Sequence, residues 1–80
     1  MIKIMKYVTF MIRKDGLMDV VDTLSTFGAV MTQSSKDGKT YFVGLYCDRN
    51  AAIRCLDCLL TLRGNGVMIY HLNIRNKIKV

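Results

Sequence analysis

The sequence has no proline, no tryptophan and no glutamate; all six of its acidic residues are aspartates, and it has a single histidine. Without glutamate, the carboxyl group most often tuned for general acid–base work is missing. With one histidine, any nucleophile–imidazole pair would have to use His71, and no serine or cysteine near it marks a nucleophile elbow. Without proline, the turns fall to glycine and short polar side chains. Three cysteines are an odd number, give no disulfide framework and suit a reducing compartment. No apolar run approaches the ~20 residues of a membrane span. The first residues, Met1-Ile2-Lys3-Ile4-Met5-Lys6, carry lysines inside their apolar stretch and no small-residue cleavage site, unlike a secretory signal. The expected location is cytoplasmic, with no membrane partner.

What is present is a chain of 80 residues, 51% hydrophobic, with a net charge of +6. That apolar fraction is enough for one small domain with its own core. The basic balance permits contact with nucleic acid without requiring it. The strongest β-signal is Lys-Thr-Tyr-Phe-Val-Gly-Leu-Tyr-Cys-Asp, residues 39–48, rich in β-branched and aromatic side chains. Asp37-Gly38 before it reads as the centre of a two-residue hairpin turn, and Asp48 after it as a helix N-cap. Both sides of this strand carry apolar groups, which places it inside a sheet.

The rest follows in order. Residues 2–12 read as a first strand, with Ile4, Val8, Phe10 and Ile12 on one side and Met5, Tyr7, Thr9 and Met11 on the other. Residues 17–27 have helical period, with Asp15 as the expected N-cap and Gly28 as a left-handed terminator. Residues 29–35 form a weaker, increasingly polar strand that suits a sheet edge. Residues 49–63 form a second helix, burying Ala52, Ile53, Leu56, Leu59 and Leu60, and Gly64-Asn65-Gly66 stops it. Residues 67–74 are the last strand. The order β-α-β-β-α-β predicts a single α+β domain of ferredoxin-like fold: a four-stranded antiparallel sheet, order 4-1-3-2, with both helices on one face.

Such a domain leaves one sheet face uncovered. Here that face is expected to carry Met5, Tyr7 and Met11, then Phe42 and Tyr46, then Val67, Ile69 and His71. This is more apolar surface than a monomer usually exposes, so a homodimer or higher homo-oligomer formed through it is the expected partner. The two chain ends, Ile2-Lys3-Ile4 and Lys77-Ile78-Lys79-Val80, are expected to pair as a ribbon beyond the sheet. A competing expectation is single-stranded RNA. The element order is that of the RNA-recognition motif, and residues 39–46 faintly echo its third-strand signature. Tyr7, Phe42 and Tyr46 would then stack bases, with Lys3, Lys6, Arg75, Lys77 and Lys79 near the phosphates.

Cys55-Leu56-Asp57-Cys58 is a C-x-x-C in the middle of the second helix rather than at an N-terminus, so it reads as structural rather than redox-active. Adding Cys47 and His71 supplies enough zinc-ligand types but not the spacing of a known knuckle or ribbon. No phosphate-binding glycine loop precedes a helix. No catalytic residue, metal site or cofactor is expected, and the chain does not read as an enzyme.

Two resemblances add to this. Arg13-Lys14-Asp15-Gly16-Leu17 through Leu24, with Phe27-Gly28-Ala29-Val30, resembles the start of an ACT domain. The resemblance implies a regulatory module that dimerises and often binds an amino-acid-like ligand near its first loop, here at Asp15, Gly16 and Leu17. Phe27-Gly28-Ala29-Val30, Ser34-Ser35-Lys36 and residues 41–48 are similar to the YlbG family of small cytoplasmic bacterial proteins. That likeness brings no activity with it.

Overall fold

The computed structural model describes residues 4–75. The elements are β1 (Met5–Arg13), α1 (Lys14–Leu24), β2 (Ala29–Ser34), β3 (Thr40–Cys47), α2 (Arg49–Gly64) and β4 (Ile69–Ile74). The four strands form one antiparallel sheet in the order β2-β3-β1-β4, the ferredoxin-like topology expected from the sequence. The pairing expected for the two chain ends falls largely outside the described residues.

The core lies between the helices and one face of the sheet. Val8, Phe10 and Ile12 of β1 and Val43, Leu45 and Cys47 of β3 alternate inward, as a half-buried strand should. Val20 and Leu24 of α1 meet them, as do Ala51, Ala52, Cys55 and Leu59 of α2. Helix α2 therefore turns its small residues to the sheet. Ile53 and Leu60, expected inside, are exposed instead, because alanines and a cysteine let the helix backbone lie closer than isoleucine and leucine would.

Local chemistry explains most boundaries and corrects some. Asp48 caps α2 as expected, its Oδ1 accepting from the Ala51 amide at 2.8 Å, an interaction of about 1 kcal/mol. The end of α2 is closed by Gly66 at φ 101°, with the Val67 amide donating to the Leu62 carbonyl at 3.1 Å. Helix α1 starts three residues before the expected position. Arg13 is its N-cap, without a side-chain cap bond, and Asp15 sits inside the first turn, where its charge complements the helix dipole. The β2–β3 turn is not the two-residue form expected around Asp37-Gly38. Only Gly38 has a left-handed backbone (φ 71°), and its amide donates to the Ser35 carbonyl at 3.1 Å. Asp37 accepts from the Ser35 hydroxyl at 2.6 Å and the Lys39 amide at 3.0 Å, and these bonds hold its carboxyl below the usual range.

Gly28 is needed for a reason other than the one its position suggested. It does not have a positive φ. A Cβ there would collide with the backbone oxygen of Tyr46 and approach the Cys47 Cβ to 3.0 Å. The glycine lets the turn after α1 press against β3 as β2 begins. Gly28→Ala should lower unfolding free energy by about 3 kcal/mol in urea titration, because the opposing atom is backbone and cannot step aside. Gly64→Ala, where added atoms meet open space, is the control and should be neutral or slightly stabilising.

Candidate functional site: the open sheet face

The uncovered face is set by two register shifts. In the β1–β3 pairing Lys6 opposes Tyr46 and Val8 opposes Leu45, so Tyr7 is an extra residue on β1. In the β1–β4 pairing Met11 opposes Tyr70 and Thr9 opposes Asn73, so β4 also carries an extra residue. His71 is that residue, with a left-handed backbone at φ 52°. A one-residue insertion reverses the face of everything beyond it.

The face expected from unbroken alternation is corrected accordingly. Met5 pairs with Cys47 and packs against the core, while Lys6, which unbroken alternation would group with Ile4, Val8 and Phe10, lies on the open face with Tyr46. Tyr7 is buried, 7% exposed, and is not available to stack on anything. Ile69 pairs with Ile12, is 5% exposed and belongs to the core. Val67 packs against the core too, and its Cγ1 would lie 3.4 Å from a Cβ at Gly16. His71 is exposed at the β4 bulge. Met11, Phe42 and Tyr46 lie on the open face as expected. The sequence reading named Lys6 only as a phosphate contact in the RNA alternative, and it missed Met31, Gln33, Tyr70 and Asn73. Met31 and Gln33 follow from pairing β2 to β3, whereas Lys6, Tyr70 and Asn73 need the bulges.

The resulting face is part apolar and part polar. Phe42 is 52% exposed and Met31 is 59% exposed, neighbours across β3 and β2. Lys6 lies over Gly44, since a Cβ there would be 3.0 Å from the Lys6 Cδ. The Lys6 ammonium is 5.7 Å from the Tyr46 ring centroid, a cation–π contact. Between these groups runs a shallow groove of about 430 Å³, lined by Lys6, Thr9, Met31, Gln33, Phe42 and Tyr46. Among the described residues no aspartate lines this groove, while Asp15 and Asp37 share a separate cleft with Tyr70, Arg13 and Lys39. Asp15, Asp19 and Asp22 are on α1, Asp48 and Asp57 cap or belong to α2, and Asp37 is in the β2–β3 turn.

The other candidates lie elsewhere. Asp15 and Gly16 line a small cleft of about 230 Å³ at the start of α1, with Asp19, Gly66, Val67 and Met68; Leu17 is partly buried against the core. Arg75 closes the end of β4, its amide donating to the Tyr7 carbonyl at 2.9 Å and its Nη1 to the Lys6 carbonyl at 3.5 Å. Lys3, Lys77 and Lys79 lie outside the described residues. Cys47 and Cys55 are buried and Cys58 is partly exposed; all three are free thiols. Burial, with Cys47 and Cys58 adding, pushes the Cys55 thiol up to about 12, and burial raises Cys47 as well. Among the described residues no three His, Cys or Asp side chains converge on a metal site, and no helix is long and apolar enough to cross a membrane.

No family model, curated protein or solved structure matches this chain.

The thiol arrangement has a direct test. Iodoacetamide at pH 8 should label Cys58 on the folded protein and reach Cys47 and Cys55 only at the rate of global unfolding, since their thiolates are suppressed by burial. Mass mapping of the labelled peptides reads this. Equal labelling of Cys55 and Cys58 would contradict it.

Proposed function

We propose that this protein is a non-enzymatic regulatory or interaction module that self-associates through the open face of its sheet. The observation that carries the reading is Phe42, a half-exposed phenylalanine in the middle of a central strand, with Met31 and Met11 beside it. A central strand normally turns polar groups to a solvent-facing side. At about 25 cal/mol per Å², covering a few hundred Å² of this face supplies up to roughly 10 kcal/mol, comparable with the cost of association. The raised thiols and the exposed, isolated His71 support a role other than catalysis. The ACT resemblance adds a small amino-acid-like ligand at the Asp15–Gly16 cleft, with Leu17 next to it in the chain and packed against the core. Light scattering over a hundredfold range of concentration should give twice the chain mass at the upper end. Phe42→Glu should weaken that association at least tenfold while leaving the circular dichroism unchanged. A wild-type monomer at every concentration would overturn the reading.

A second reading is favoured by the described lining of the groove, which holds Lys6 and no aspartate. Stacking two copies face to face would bring Lys6 toward a surface that offers it no acid, and burying an unpaired ammonium is costly. A single-stranded nucleic acid would bring phosphates for Lys6 and bases for Phe42, Tyr46 and Tyr70, with Gln33, Thr9 and Asn73 as hydrogen-bonding groups. Single-stranded RNA should then be retained at low salt, with affinity falling as salt rises and falling further in Lys6→Ala and Phe42→Ala. No retention at low salt would exclude it.

A further inference from the structure

The two edges of the sheet differ in kind. Strand β4 is interrupted by the His71 bulge, a device that spoils an edge as a template for further pairing. Strand β2, Ala-Val-Met-Thr-Gln-Ser, has no charge and no proline, and its pairing with β3 runs without a shift from Ala29–Tyr46 to Ser34–Tyr41. None of the usual protections of an edge is present in it.

The phase of the β2–β3 ladder says which backbone groups are free. The Ser35 amide donates to the Thr40 carbonyl at 2.9 Å, which makes Ser35–Thr40 a hydrogen-bonded pair. Such pairs alternate along an antiparallel ladder, so Gln33, Met31 and Ala29 also bond toward β3. The amides and carbonyls of Val30, Thr32 and Ser34 therefore point away from the sheet. Thr32 and Ser34, on the helix-bearing side, are exposed, so this stretch of the edge is uncovered, while Val30 is partly buried against the core.

We propose that β2 pairs antiparallel with β2 of a second copy about a two-fold axis at Thr32, joining two sheets into one of eight strands. With Thr32 opposite Thr32, Val30 falls opposite Ser34 in both directions, and every outward group of the three residues finds a partner. A strand fits itself in this way only if no charge meets its like, and β2 has none. Cross-strand threonine pairs are favourable. On the open face the same register sets Met31 opposite Gln33 of the partner, so both open faces become one continuous surface. The occupant is a second copy because the outward groups are self-complementary about one axis. The pairing is separate from the face-to-face contact proposed above and stands or falls independently of it.

The experiment is amide hydrogen exchange by NMR on the whole chain at two concentrations spanning the association. The amides of Val30, Thr32 and Ser34 should slow at least tenfold at the higher concentration, while Met31 and Gln33, already bonded to β3, change little. Thr32→Pro removes one outward amide and no bond to β3, and should abolish this protection and the edge pairing while leaving any face-to-face association unchanged. Thr32→Lys keeps the amide but opposes two ammonium groups, so it should weaken pairing at low salt and less at high salt; it serves if the proline variant does not fold. Phe42→Glu should leave the edge pairing intact. Unprotected Val30, Thr32 and Ser34 amides at the higher concentration, or a Thr32→Lys variant that associates like the wild type, would overturn the proposal.

Discussion

The pairing of β1 with β3, with one extra residue at Tyr7, is the constraint on which the rest of this molecule depends. The inner side of the pair holds Phe10, Val8, Leu45 and Val43, against which both helices pack. Because the insertion falls near the start of β1, the stretch from Val8 to Ile12 keeps a clean alternation and the core is continuous there. The side chains before it are exchanged between faces. Met5 goes inward and Lys6 comes out to lie across Gly44, which is open enough to receive it. One inserted residue thus changes the character of the outer surface from aromatic to mixed.

Much of the fold was legible in the sequence because its signals are local and strong. The hairpin glycine, the Asp48 cap, the helical period before Phe27 and the apolar alternation of residues 40–47 each point to one element, and their order leaves few topologies. What was not legible comes from contacts between elements. Nothing in the sequence of residues 2–12 marks Tyr7 as an insertion, since tyrosine suits a strand on either face. The same holds for His71, whose left-handed backbone is uncommon outside glycine even though histidine adopts it more readily than most residues. Gly28 looked like a helix terminator because that is the commonest use of a glycine after an apolar run, yet its role depends on the Tyr46 carbonyl, eighteen residues away in the chain.

The second helix makes a related point about periodicity. Its apolar residues go nearly all the way round, so hydrophobic spacing alone does not choose the buried stripe. Ala51, Ala52, Cys55 and Leu59 face the sheet, the three small residues letting the helix settle closely, and Ile53 and Leu60 are left outside. Burial in that placement pushes the Cys55 thiol up and disfavours its thiolate. The candidate site was only partly readable for the reason already given. Phe42, Tyr46 and Met11 lie on an uninterrupted stretch of alternation, Met31 and Gln33 need the pairing of β2 with β3, and Lys6, Tyr70 and Asn73 need the bulges.

The unlike edges bear on how large an assembly of this chain could grow. Linear growth by strand addition needs two open ends on every unit, one to accept and one to offer. A unit with a single usable edge terminates its own polymer after the first addition, as a capped monomer does in a chain reaction. On the edge pairing proposed above, the left-handed residue at His71 would serve as a chain stop, since a bulged β4 is a poor template for carrying the ladder onward.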